Sequence, residues 1–133
     1  MENKTIDKLG WIHIENKKLL AVRAKGKDAF YIPGGKREDG ETDEQALIRE
    51  NKEEISIDIV PGSLKLVGKF EAPAHGKIDT MVQIIAYTAD FKGEFRPDWE
   101  IEEIGWLSYS DKENATPTMK LILEHLKGQS LID

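Results

Sequence analysis

The residues of this chain best equipped for chemistry are three glutamates, Glu50, Glu53 and Glu54, in the run Arg49-Glu50-Asn51-Lys52-Glu53-Glu54. At about 100° per residue on a helix, the three fall on one arc. Glu50 and Glu54, four residues apart, are surface neighbours. Like charges at that spacing destabilise a helix by about 0.2–0.5 kcal/mol per pair, and a chain selected only for stability would interleave lysines. A hard divalent cation reverses the sign of that cost. Magnesium takes a few carboxylate oxygens and fills its remaining positions with water and substrate phosphate. Taken alone, three glutamates on a helix are more often a solvated face, so the surroundings decide.

Immediately upstream lies Pro33-Gly34-Gly35-Lys36-Arg37-Glu38-Asp39-Gly40-Glu41. Its glycines allow tight turns and close backbone approach to a metal or phosphate. A carbonyl of Gly34 or Gly35 can join a metal shell, and Lys36 and Arg37 are placed to meet phosphate oxygens. The formal net charge is −6, which argues against a dedicated nucleic-acid binder with a basic face. That charge suits an anionic substrate only if a cation intervenes.

The elements that must position these groups follow from pattern. Thr42 and Gln45 form a capping box, with Asp43 and Glu44 complementing the dipole of the first turn. A helix is therefore expected over Thr42 to Ile55. Leu47, Ile48, Asn51 and Ile55 form its core-facing arc. Leu9 to Ile14 and Leu19 to Ala24 read as the two strands of a hairpin around Glu15-Asn16-Lys17-Lys18. Further strands are expected at Phe30 to Ile32, Ile57 to Val60, Leu64 to Phe70, Met81 to Thr88 and Ile104 to Leu107, with a loop from Phe91 to Glu100. A last helix begins near Thr116-Pro117, a good N-cap followed by a first-turn proline, and runs to about Lys127. Strands mixed with two helices indicate an α/β sandwich around a central mixed sheet. At 133 residues one domain over residues 1–133 is expected. With no cysteine there is no disulfide framework or thiolate zinc site. No apolar run reaches the roughly 18 residues of a membrane span, and no secretory pattern opens the chain. A cytoplasmic location is expected.

From Gly35 to Ile57 the chain resembles the box of the MutT-like Nudix hydrolase family, G-x5-E-x7-R-E-U-x-E-E-x-G-U, where U is a bulky aliphatic. Gly35, Glu41, Arg49-Glu50, Glu53-Glu54 and Ile57 occupy its places. Asn51 stands where an aliphatic residue is expected, and Ser56 where glycine is. Tyr31-Ile32-Pro33-Gly34-Gly35 resembles the approach to the box. Glu100-Ile101-Glu102-Glu103-Ile104-Gly105-Trp106 resembles the glutamate-bearing loop and Trp-containing strand of many members.

The resemblance implies a Nudix-type α/β/α sandwich with a loop-helix-loop catalytic motif. It implies Glu50 and Glu54 as main metal ligands, and Glu53 as third ligand or water-activating base. A carbonyl of Gly34 or Gly35 adds to the shell. Arg49 and Glu41 become structural, with Arg49 orienting acids through charge-assisted bonds. Glu100 or Glu103 serves as further ligand or general base, with Glu103 favoured as the one nearer the strand. Arg23 on the second strand matches a position from which side chains reach substrate. The reaction implied is magnesium-dependent attack of water on one phosphorus of a diphosphate, with manganese as substitute metal. The expected partner is a small nucleoside diphosphate derivative, not a nucleic-acid polymer or a membrane, and the protein a monomer or homodimer. The short chain slightly favours (d)NTPs.

Other residues carry less. His75 sits in a loop that can border substrate but is more simply an exposed histidine. Trp99 can stack on a base, whereas Trp11 and Trp106 read as packing aromatics, with His13 on the face of Trp11. A non-cleaving nucleotide-binding regulator on the same fold is the main alternative, supported only by Asn51 and Ser56. An isomerase of allylic diphosphates would call for a cysteine, and none is present.

Overall fold

The computed structural model describes residues 4–74 and 77–133. In chain order the elements are β1 (Lys4–Trp11), β2 (Ile14–Glu15), β3 (Lys18–Ala24), β4 (Gly34–Gly35) and α1 (Asp43–Ile55). There follow β5 (Asp58–Ile59), β6 (Lys65–Pro73), β7 (Thr80–Thr88), β8 (Phe91–Lys92), β9 (Ile101–Leu107), a 3-10 helix over Tyr109–Asn114, and α2 (Pro117–Gly128). The strands pair as β4-β1-β7-β6, as β2-β3-β9 and as β5-β8. The β1–β7 pairing is parallel and the others are antiparallel, so the central sheet is mixed. No helix among the described residues is long and apolar enough to cross a membrane.

Strands buried on both faces read as continuous apolar runs, and β3 shows this in Leu19-Leu20-Ala21-Val22. Leu19 and Ala21 pack with Met119, Ile122, Leu123 and Leu126 of α2. Leu20 and Val22 pack with Ala46, Leu47 and Ile55 of α1. The same alternation divides β7, with Ile84 and Ala86 on the α2 side and Ile85 on the α1 side. The layers are thus helix, sheet, helix.

Helix α1 begins as its capping box dictates: Thr42 Oγ1 accepts from the Gln45 N–H at 3.2 Å, and Gln45 Oε1 accepts from the Thr42 N–H at 2.9 Å. Its end also follows from local chemistry. Ser56 caps it at φ 64°, in the left-handed region that costs a non-glycine residue about 1–2 kcal/mol. Asn51 is fully buried on the apolar arc. Its Nδ2 donates to the Leu47 carbonyl at 2.9 Å, while its Oδ1 has no donor among the described residues. Thr116 caps α2, accepting from the Met119 N–H.

The strand assignments need correction in places. Leu9 to Trp11 do not form a hairpin with Leu19 to Ala24. β1 instead pairs in parallel with β7, register Lys4↔Thr80 to Trp11↔Tyr87, and only Ile14–Glu15 folds back on β3. The turn between them places Asn16 (φ 52°) and Lys17 (φ 61°) in the left-handed region, as a two-residue hairpin turn matching strand twist requires. β1 starts at Lys4, earlier than Leu9, because its charged residues hide the strand signal. Phe30 and Tyr31 make only isolated bridges, to Ala115 and Val22. The loop from Phe91 contains β8, and β9 begins at Ile101 rather than Ile104.

Candidate active site

The glycine pair of β4 is wedged between β1 and α1. A Cβ on Gly34 would lie 2.0 Å from the Leu9 carbonyl oxygen, and one on Gly35 would lie 2.6 Å from Glu50 Cδ. Only glycine lets the loop approach both the strand backbone and the Glu50 carboxyl. The Gly34 N–H then donates to Glu54 Oε1 at 2.8 Å. The group that Gly34 turns toward the acids is therefore its N–H.

Arg49 holds the neighbouring acids. Its Nε and Nη2 donate to both Glu41 oxygens at 2.8 and 2.9 Å, its Nη1 to Glu50 Oε1 at 3.0 Å, and its Nη2 to the Lys36 carbonyl at 3.1 Å. These fork-shaped bonds, with one from the Glu38 N–H, hold the Glu41 carboxyl down at about 2. They hold the Arg49 guanidinium firmly protonated. Glu53 Oε2 lies 3.5 Å from Arg49 Nη1, within ion-pair range, yet it is a buried oxygen with no hydrogen-bond donor among the described residues.

Burial is the dominant electrostatic influence on the other two acids. Glu54 is 7% exposed, and desolvation pushes its carboxyl up to about 8 despite the Gly34 N–H. Glu50 is shifted in the same direction, again chiefly by burial and against Arg49. One buried acid, a second partly buried one and a carboxylate oxygen that accepts no hydrogen bond among the described residues are costly without a cation.

Among the described residues no three carboxylate or imidazole groups already converge on one point as a metal cage. Arg49 lies among Glu41, Glu50 and Glu53, and Glu54 is turned to Gly34. The donor set nonetheless fits a hard divalent cation. It is all oxygen, it is closely backed by glycine, and it contains Glu53 Oε2, which accepts no hydrogen bond among the described residues.

The remaining candidates divide. Arg23 and Glu103 face each other in the β3–β9 register, and Arg23 Nε donates to Glu103 Oε1 at 2.7 Å. Arg23 Nη1 also reaches the Lys27 carbonyl. Glu100 lies just before β9, where its carbonyl accepts from the Lys25 N–H. Its charge and those of Glu54 and Glu50 all act on the Tyr31 hydroxyl. Arg37 is engaged elsewhere, pairing with Asp43 and, at 3.0 Å, with Asp7. Asp43 also accepts from the Tyr87 hydroxyl, so this network ties the box loop and the start of α1 to β1 and β7. Lys36 meets Arg49 through its backbone carbonyl. Trp99 is 59% exposed at φ 56°, whereas Trp11 is fully buried and stacked on His13 at 4.9 Å. His75 lies outside the described residues.

Pattern reading did not find the cavity beside this cluster. It has a volume of about 330 Å³ and is lined by Lys8, Tyr31, Ile32, Gly34 and Ile84, with Thr118 at the start of α2. Gly34 belongs both to its wall and to the hydrogen bond with Glu54. Lys8 was missed because the strand signal starts after it.

A NUDIX-domain family profile matches residues 9–126. An ADP-ribose pyrophosphatase of Methanocaldococcus jannaschii is 32% identical over 120 residues, covering 89% of this chain and 66% of the archaeal protein. An 8-oxo-dGTP diphosphatase of Proteus vulgaris is 62% identical over 33 residues, which is 25% of this chain and 30% of that protein. The crystal structure of a MutT protein from Methanosarcina mazei superposes with a TM-score of 0.76 at 19% identity, covering 98% of each chain. The chain belongs to the Nudix hydrolase family.

Proposed function

We propose that this chain hydrolyses the diphosphate linkage of a small nucleoside diphosphate derivative, a (d)NTP in the first instance, with magnesium as its metal. The observation that carries this reading is the Gly34 N–H bonded to Glu54 Oε1. It joins the wall of a mainly apolar cavity to the carboxylates of α1, so a nucleoside in the one brings its phosphates to the other. A cavity of about 330 Å³ lies at the small end of ligand sites and suits a single nucleoside better than a nucleoside diphosphate carrying a second sugar. That favours (d)NTPs and 8-oxo-dGTP, the substrate in the Proteus relative's name, over the ADP-ribose of the archaeal relative's.

In this reading Glu50, Glu53 and Glu54 hold the cation, which would neutralise phosphate charge and make the attacking water more acidic. Glu53 or Glu100 takes the water's proton. Arg49 keeps Glu41 and Glu50 in place, and the Lys36 ammonium meets phosphate. Arg37 and the Arg23–Glu103 pair support the loop and sheet around the site. The test is an assay panel of dGTP, 8-oxo-dGTP, ADP-ribose, diadenosine tetraphosphate and UDP-glucose, with and without magnesium. Magnesium-dependent cleavage with preference for the triphosphates is expected. Tight binding with no turnover of any substrate would instead support the regulator reading.

A further inference from the structure

The inward face of β1 carries a residue that the packing pattern does not explain. Ile6, Lys8 and Gly10 lie opposite Val82, Ile84 and Ala86 of β7, on the side of the sheet that packs under α2. The facing is independently marked by Gly10, where a Cβ would meet the side chains of Ile32 and Ile84. Alternation demands an apolar residue between Ile6 and Gly10, and the chain places an ammonium there.

The ammonium makes no close polar contact. No hydrogen bond or ion pair engages Lys8 among the described residues. It is largely desolvated, lines the cavity beside Gly34, is repelled by Lys36 and Lys77, and is attracted by Glu54 and Glu50. A partly buried ammonium with no close partner is costly to keep charged, and an anionic ligand in the cavity would offset that cost. Lys8, Lys27 and Lys77 line the cavity with a single acid, Asp28, among its described lining residues, and that excess of cations next to the Gly34–Glu54 contact matches a polyanion rather than a neutral base edge.

We infer that Lys8 is a substrate-binding residue whose ammonium takes a phosphate oxygen of the diphosphate as the nucleoside enters the cavity. The inference rests on the diphosphate-hydrolase reading above and adds a phosphate contact from β1, outside the box.

The test is equilibrium binding of inorganic pyrophosphate in the presence of magnesium, at constant ionic strength, to the wild type, Lys8→Met and Lys8→Arg. Lys120→Met on the exposed side of α2 controls for net charge. Affinity should fall at least tenfold in Lys8→Met, stay within about threefold in Lys8→Arg, and be unchanged in Lys120→Met. Melting temperatures of Lys8→Met at or above wild type show that the loss is not unfolding. Unchanged pyrophosphate affinity in Lys8→Met overturns the inference, as does absence of pyrophosphate binding to the wild type. A loss of affinity for guanosine alone, with pyrophosphate unaffected, also overturns it by assigning Lys8 to the base. The two readings separate cleanly. Turnover without a Lys8 effect removes only this inference, and Lys8-dependent pyrophosphate binding without turnover of the panel removes only the hydrolase.

Discussion

Gly34 and Glu54, twenty residues apart, meet through a 2.8 Å hydrogen bond from a backbone N–H to a buried carboxylate. Gly34 also lines the cavity, so this contact couples the position of the acid proposed as a metal ligand to that of the cavity. Glu54→Gln preserves the volume and an acceptor for that N–H but removes the charge. Hydrolysis at saturating magnesium should fall by at least 100-fold with the fold intact by circular dichroism. Near-normal turnover would remove Glu54 from the metal site.

The two glycines should respond differently to alanine. At Gly34 the new methyl meets backbone of β1 at 2.0 Å, and φ is 150°, so Gly34→Ala should destabilise by about 2 kcal/mol or more. At Gly35 the obstacle is the Glu50 carboxyl, the far end of a flexible side chain. Gly35→Ala should fold with a melting temperature within a few degrees of wild type yet lose at least tenfold in kcat. Equal melting temperatures for the two variants would contradict the wedge geometry.

Asn51 half-satisfies its amide. Nδ2 back-bonds to Leu47, and Oδ1 is left without a donor among the described residues. A buried unmatched acceptor costs about 1–3 kcal/mol, and leucine has nearly the same shape without it. Asn51→Leu should raise the melting temperature by several degrees and leave kcat within a few-fold, as thermal unfolding and steady-state kinetics will read. A lower melting temperature would make Asn51 a required polar group.

The Glu41–Arg49 bonds predict an acid limit. The folded carboxyl, at about 2, lies below its ordinary value of 4.5. A depressed acid contributes stability that is present above the unfolded value and lost as pH falls through the folded one. The wild type should therefore lose melting temperature between pH 4.5 and 2 more steeply than Glu41→Gln, and the curves should run parallel above pH 5. Identical slopes in acid would mean the pair contributes nothing to folding.

Glu100 and Glu103 can be told apart by kinetics. Glu103 is held by Arg23 at 2.7 Å on the sheet, whereas the charge of Glu100 acts on Tyr31 together with those of Glu54 and Glu50. If Glu100 takes the proton, Glu100→Gln lowers kcat by tenfold or more with little change in KM. Glu103→Gln should cost less than threefold in kcat. Negligible effects at both positions would return the base to Glu53.

What could be read in the sequence is what neighbours in sequence decide. The capping box of Thr42 and Gln45, the acidic and apolar arcs of α1 and the N-cap at Thr116 depend on contacts three or four residues apart, and the structure carries them with nearly the expected bounds. Ser56, standing where the resemblance expects glycine, proves to be left-handed at the helix end. Tertiary structure alone decided which strand lies beside β1. Local alternation cannot choose between a hairpin partner a few residues away and β7, 76 residues on, and parallel pairing leaves no turn signal between the strands. That choice sets Lys8 among apolar neighbours at the cavity wall, and it gives β4 a partner against which two glycines fit. The register of β9 against β3 likewise put Glu103 opposite Arg23. The chemistry was written in residue types at fixed spacing. Its enclosure came from long-range hydrogen-bond pairing, whose partners the chain must find in space.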